Sequence, residues 1–269
     1  MPKAIRGGFP TYWTTFGQGP REALLIHCSL AQSGAWGGMA RRLSGALTMT
    51  AFDLPGHGRS GDWDGRGEIQ QVTTGIAADF ACAGPVDVIG HSFGGTVALR
   101  MAVDYPDRVR TLVLIEPVFF AAGMRADPQA AETCRAQEAA FDAAMARGDH
   151  ETAAREFLGR WGDGAPWEDL NEAERAGIIA RIPLIEAATP ALYDDIGGLL
   201  APGVLDSVAA PALLIEGSES PGIIGAVNDA LAARLPRAER SVIGGAAHMA
   251  PISHPAQVSA EILRFLQQA

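Results

Sequence analysis

A chain of 269 residues, 48% hydrophobic and 19% charged, can bury a full core within one large α/β domain, which excludes global disorder. Its formal net charge of -10, with no Lys/Arg cluster as a counterweight, sets nucleic acid and anionic membrane surfaces aside as expected partners. Cys28, Cys82 and Cys134 are odd in number, far apart and without metal-ligand spacing, so they read as reduced, mostly packed thiols.

The chain opens on "MPKAIRGGFPTYW", which lacks the apolar core of a signal peptide, and no later run approaches a membrane span. The cytoplasm is therefore the default location. Around "TYWTTFG" the alternation of side chains predicts an antiparallel edge hairpin. Short runs rich in Val, Ile and Leu follow: "ALLIH", "LTMTAFD", "VDVIGH" and "TLVLIE", and later "ALLIEG" and "RSVIGG". Helix-length segments separate most of them. This is the pattern of a mostly parallel sheet with helices on both faces.

From Val118 to about residue 203 that rhythm stops and Ala-rich helical pattern takes over. "DPQAAETCRAQEAAFDAAMARG" begins with Asp127 as N-cap and Pro128 at the first helical position, and ends just before Gly148. Phe141 and Met145 share a face there, and Phe157 and Trp161 repeat the four-residue spacing in the next helix. "NEAERAGIIARI" carries a capping-box pair, Asn171 and Glu174, and "TPALYDDIGG" predicts a fresh start at Thr189 and Pro190. An insertion of this kind suits a lid, because α/β sheets bind ligands above the carboxyl ends of their strands.

The residues with chemistry to perform begin at Ser92. "VDVIGHSFGGTVAL" sets Gly90, Ser92 and Gly94 in a GxSxG pattern between an apolar strand and an amphipathic helix. Such a turn is tight enough to require small residues and holds the serine hydroxyl out over the sheet at a helix N-terminus. A serine hydroxyl needs a base. Of the six histidines, His248 in "VIGGAAHMAPISHP" lies on a loop after the last apolar run and late in the chain, as the order Ser, acid, His requires. His254 precedes Pro255 at a helix start and reads as structural. His57, in the Gly- and Pro-rich "DLPGHGRS", reads as a brace for that loop. His150 falls in the insertion, His91 is locked beside the serine, and His27 ends a strand.

Taken together, "HCSLAQSGAW", "DLPGHGRSG", "GHSFGG" and "GAAHMAPISHP" make the chain resemble the α/β-hydrolase superfamily with a helical cap, over nearly its whole length. The resemblance implies an eight-stranded, mostly parallel sheet, a core formed by residues 1–117 and 204–269, and a cap over residues 118–203 between strands six and seven. It implies an oxyanion hole made by the N–H of Phe93 and an N–H of the loop after strand three. There the usual His-Gly is His27-Cys28, so Ser29 is the matching donor, with the choice between Ser29 and Leu30 left open by that departure. No metal or organic cofactor is implied.

The resemblance also implies an acid, most often an Asp in the turn after strand seven. Aligned on Gly217 that position is Ser220, which cannot supply a negative charge. In some resembling enzymes the acid follows strand six instead, where "TLVLIEPVFF" offers Glu116 at the end of a buried run. A carboxylate there is costly to bury unless paired. Glu116 is the expected acid and Glu219 the alternative. The implied reaction is cleavage of a small to medium carboxylic ester or lactone through an acyl-enzyme on Ser92, with Leu30, Val118, Phe119, Phe120, Met124 and Met249 expected around an apolar pocket. Arg125 keeps open a clamp for a carboxylate. Carbon-carbon bond hydrolysis and cofactor-free perhydrolysis use the same parts, and a non-catalytic ligand receptor on the same fold is the alternative of another class.

Overall fold

Alternation with a period of two sends successive side chains of each apolar run to opposite faces of one sheet, and both faces must then be covered. A computed structural model, which describes residues 2–269, has this arrangement. Among the described residues eight strands form one sheet: β1 (Lys3–Arg6), β2 (Phe9–Phe16), β3 (Arg21–Ile26), β4 (Leu47–Phe52), β5 (Val86–His91), β6 (Val109–Ile115), β7 (Ala212–Gly217) and β8 (Ala238–Ile243). Their spatial order is β1-β2-β4-β3-β5-β6-β7-β8. The expected edge hairpin is present: β2 pairs antiparallel with β1 and with β4, and the remaining neighbours are parallel. Gly7 and Gly8 make its turn at φ 52° and 81°, a pair of positive angles that suits glycine.

One face of the sheet presents Leu24, Ile26, Val88, Leu112 and Leu214 to α2 (Ile69–Phe80) and α3 (Phe93–Asp104), among other helices. The opposite face presents Leu25, Ile89, Val113, Leu213 and Ile215 to α1 (Gly37–Leu43) and to the C-terminal helix, residues 255–266. These side chains are essentially removed from solvent, and each contributes roughly 1.5–3 kcal/mol by transfer. From β3 the chain steps outward to β4 and returns to β5 on the other side of β3. Such a reversal opens a crevice at the carboxyl ends of β3 and β5, where the loop after Ile26 and the turn at Ser92 emerge.

Between β6 and β7 lie α4 (Phe120–Ala126), α5 (Pro128–Ala146), α6 (His150–Trp161), α7 (Glu172–Arg181) and α8 (Pro183–Leu192). Asp127 accepts from Gln129 N and Ala130 N at 2.9 and 3.0 Å, and Asn171 and Glu174 form a reciprocal capping box. α8 departs from the expected start at Thr189. It begins with Pro183 at its first position and runs through Pro190, which falls in the last turn, so the missing proline N–H forfeits one bond near an end that frays anyway.

The inserted segment packs in two ways. Phe119, Phe120, Ala121 and Ala122 belong to the main core beneath α4, and a Cβ at Gly123 would approach Val227 N to 2.9 Å, so α4 is packed on α9 (Gly222–Ala232). A separate small cluster, Ala144, Ala153, Ala154, Trp167 and Ile182, holds α5, α6, α7 and α8 to one another. After β8 come α10 (Ala250–Ser253) and α11 (Pro255–Leu266). Among the described residues no helix is long and apolar enough to cross a membrane.

Candidate active site

Ser92 stands between β5 and α3 at φ 55° and ψ -120°, a conformation rarely tolerated outside glycine and costing on the order of 1–3 kcal/mol. Its N–H donates to the Ile115 carbonyl at 2.9 Å, which anchors the turn to β6. The flanking glycines are required by contact rather than flexibility. A Cβ on Gly90 would collide with the Gly94 carbonyl, and one on Gly94 with the carbonyl of Ile26 at the end of β3.

His248 descends from the loop after β8. Its Nε2 lies 3.0 Å from Ser92 Oγ and its Nδ1 3.1 Å from Glu116 Oε2. Glu116 is the first residue after β6, is fully buried, and has a left-handed φ of 52°. Its other oxygen, Oε1, accepts from Gly217 N–H at 2.6 Å and from Ser220 O–H at 2.7 Å. With the carboxylate as acceptor, Nδ1 carries the imidazole proton, and Nε2 is left to accept the Ser92 hydroxyl. The loop is held from below, where His91 Nε2–H donates to the His248 carbonyl at 2.9 Å. Glu219 is not part of this chain of bonds. It is exposed, and its carboxylate accepts only from Ser218 Oγ at 3.2 Å.

Three further histidines frame the site as neutral, fixed tautomers. Burial pushes His27 down to about 4, and His57 and His91 down to about 3. His27 Nδ1–H donates to the Cys28 carbonyl at 2.7 Å while its Nε2 accepts from Leu54 N–H at 3.0 Å. His57 Nδ1–H donates to the Pro55 carbonyl at 2.8 Å and its Nε2 accepts from Leu30 N–H at 3.0 Å. Leu30 itself sits at φ 64°. Its N–H is therefore occupied, whereas the Ser29 N–H has no hydrogen-bond partner among the described residues. The Phe93 N–H opens α3 and has no partner within the helix. Of the two N–H groups left open by the sequence, Leu30 N–H is engaged and Ser29 N–H is not. Burial pushes the Cys28 thiol up to about 12, so it packs as a small hydrophobe.

Ser29, Ser92 and His248 open into a cavity of about 310 Å³. Of the residues expected around it, Val118 and Phe120 reach its wall. The others do not: Phe119 is turned wholly into the core, Met124 packs against the same core, Leu30 joins the cap cluster, and half-buried Met249 caps α10. Arg125 is directed to Asp195 at 3.8 Å rather than to the cavity.

The opposite wall comes from α5, α6 and α8. Trp161 sets its ring edge-on to His248 with centroids 4.7 Å apart and lies 5.7 Å from Phe120, which in turn meets Tyr193 at 4.8 Å. Tyr193 donates its hydroxyl to Glu138 at 2.6 Å, and Arg160 lies 3.9 Å from the same carboxylate and 4.8 Å above the Trp161 ring. Burial pushes Glu138 up, and burial with Glu138 pushes Tyr193 up. None of these wall residues was expected from motifs. The four-residue spacing of Phe157 and Trp161 was the available signal, since it marks a face without saying what that face meets. Among the described residues no group of three or more His, Cys, Asp or Glu is arranged to hold a metal ion.

A model of the alpha/beta hydrolase family matches residues 23–261. The chain is 35% identical over 150 residues to the lipase LipV of Mycobacterium tuberculosis, covering 55% of this chain and 54% of that protein, so the match spans about half of the lipase. Over 240 residues it is 29% identical to the pimeloyl-[acyl-carrier protein] methyl ester esterase of Neisseria meningitidis serogroup B, covering 87% and 88% of the two chains. The solved structure of MGS-M2, an alpha/beta hydrolase from a Medee basin deep-sea metagenome library, superposes with a TM-score of 0.79 at 15% identity over 100% of this chain and 98% of that one, a likeness of fold. The matched residues run from β3 into α11 and enclose Ser92, Glu116 and His248, and the chain belongs to the alpha/beta hydrolase family.

Proposed function

We propose that the protein is a serine hydrolase that cleaves small to medium carboxylic esters or lactones through an acyl-enzyme on Ser92. The observation that carries this reading is the unbroken run of hydrogen bonds from Glu116 through His248 to Ser92, ending in a cavity of about 310 Å³. An ester-acting enzyme is also what the names of the lipase and the methyl ester esterase describe.

Ser92 Oγ attacks the substrate carbonyl carbon while His248 Nε2 takes its proton, and the imidazolium that forms is stabilised by the Glu116 carboxylate. The carbonyl oxygen, now an anion, turns to the Ser29 and Phe93 N–H groups, each such donor being worth about 2.7–4 kcal/mol in the transition state. Collapse expels the alkoxide, which recovers the proton from His248 Nε2. In a lactone that alkoxide stays tethered to the acyl group. Water then gives a proton to His248 and attacks the acyl carbon, and collapse breaks the bond to Ser92 Oγ, which takes that proton back from His248 Nε2 as the acid leaves. Each of these steps uses a residue of this chain, and none calls on a metal or organic cofactor.

The apolar rings of Phe120, Phe157 and Trp161 on the cavity wall favour a mainly apolar acyl group of modest length. Helices α5, α6, α7 and α8 act as the lid. Labelling by a fluorophosphonate, with and without Ser92→Ala, followed by turnover of p-nitrophenyl esters of increasing chain length, tests the proposal. Stoichiometric labelling lost in Ser92→Ala, with turnover that peaks at medium chains, is the expected result. Folded protein that neither labels nor turns over esters overturns it.

A further inference from the structure

The turn after β7 lends no carboxylate to His248, yet it touches both Glu116 and the loop that carries His248. On one side Gly217 N–H and Ser220 O–H converge on Oε1 of Glu116 at 2.6 and 2.7 Å. On the other side the turn is fastened to residues 243–246, just ahead of His248. Ser218 N–H donates to the Ile243 carbonyl at 3.0 Å, Gly245 N–H donates to Ser218 Oγ at 2.8 Å, and Glu219 N–H donates to the Ala246 carbonyl at 2.8 Å. The fit leaves no slack, since a Cβ on Gly217 would collide with the Ala246 carbonyl.

Glu116 needs such a clamp. It is a non-glycine residue held at φ 52°, wholly buried, and its carboxylate has to present one particular oxygen to His248. A buried carboxylate with a free oxygen would rotate toward any donor within reach, whereas two donors on Oε1 leave Oε2 for the imidazole at 3.1 Å. Of those two, the Gly217 N–H is fixed by the backbone. The Ser220 hydroxyl is the one contributed by a side chain, and it is part-buried and half-turned from solvent, where its choice of partner is set by the turn's own Ser220 N–H to Gly217 carbonyl bond at 3.2 Å.

We propose that Ser220 is a positioning residue, whose hydroxyl holds Oε1 of Glu116 so that Oε2 faces His248. The proposal rests on the reading of Glu116 as the acid, and it gives the clamp formed by Gly217, Ser218, Glu219 and Ser220 the task of fixing the distance between acid and base. Ser220 is absent from the cavity wall, so its loss acts on kcat and spares KM.

A double-mutant cycle tests it, with ester hydrolysis measured for the parent, Ser220→Ala, Glu116→Gln and the double variant. The expected result is a kcat at least tenfold lower in Ser220→Ala with KM within about threefold of the parent, and no further loss when Ser220→Ala is added to Glu116→Gln, since a hydroxyl that works only through the carboxylate has nothing left to position. An equal fold-loss in both backgrounds, or an unchanged kcat in Ser220→Ala, overturns the proposal. Retained activity in Glu116→Gln alone instead overturns the reading of Glu116, so the two failures are told apart. If Ser220→Ala melts early, the near-isosteric Ser220→Cys is read in the same cycle with the same expectations, because a thiol is a weak donor.

Discussion

Glu116→Gln changes one atom type and no volume, so its effect can be worked from the hydrogen bonds alone. Gly217 N–H can only donate, which obliges the new amide to place its oxygen where Oε1 now lies, 2.6 Å from that N–H. The amide NH₂ then occupies the Oε2 position, 3.1 Å from His248 Nδ1, and forces Nδ1 to accept. The imidazole proton moves to Nε2, which faces Ser92 Oγ at 3.0 Å and can no longer take the serine's proton. In the serine-protease triad the same carboxylate-to-amide exchange lowers kcat by about 10⁴, or about 5.4 kcal/mol at about 1.36 kcal/mol per decade. Steady-state hydrolysis of a p-nitrophenyl ester by Glu116→Gln should show a loss of that order, with a thermal melt confirming the fold. Glu219→Gln, altering an exposed carboxylate away from His248, should behave as the parent. A kcat for Glu116→Gln within about tenfold of the parent would refute the tautomer argument and with it the choice of acid.

His57→Ala removes the acceptor for Leu30 N–H and frees a residue held at φ 64°, so the Ser29 N–H loses its aim. Its kcat should fall about tenfold or more, toward the 10²–10³ cost of a lost oxyanion donor, and an unchanged kcat would contradict this. Trp161→Ala empties the wall beside His248, and KM for medium-chain esters should rise more than KM for acetate; equal changes would argue that Trp161 does not line the acyl site. Stability should fall as the solution is acidified. His27, His57 and His91 are held down to about 4, 3 and 3 in the folded state, against about 6.5 unfolded, so the unfolded chain binds more protons between those values. The stability present above about pH 6.5 is lost progressively below it, at roughly 2 kcal/mol per histidine by pH 5. The sum of about 6 kcal/mol is comparable to a typical total of about 5–15 kcal/mol, and a melting temperature that does not change between pH 7.5 and 5 would show that these histidines are not buried neutral.

Much of the fold could be read from the residues because parallel strands buried on both faces leave continuous apolar runs that water would otherwise penalise. The six runs from "ALLIH" to "RSVIGG" appear in β3 to β8, and the caps at Asp127 and Asn171 stand where short polar side chains meet helix starts. Local constraint made Ser92 legible in the same way, since Gly90 and Gly94 are required by backbone collisions within a few residues or across one strand. Pro190 shows the limit of the same reasoning, because a Thr-Pro pair marks a helix start only if packing does not carry an earlier helix past it.

What the residues could not decide was which side chains meet across the crevice. Glu116 and Ser220 are far apart in the chain, and "EGSES" offers two glutamates of its own, Glu216 and Glu219. Only the parallel pairing of β6 with β7 brings Ser220 O–H and Gly217 N–H onto Glu116 and leaves Glu219 in solvent. The cavity wall is of the same kind: Trp161 and Tyr193 read as members of amphipathic helices, and the orientation of α6 and α8 over the sheet decides that they face His248 and Phe120. Periodicity fixes a side chain's face on its own element, because neighbours along the chain set the local backbone. Which face meets which is settled by long-range packing, where many weak contacts act together, and that is the part only the tertiary structure supplied.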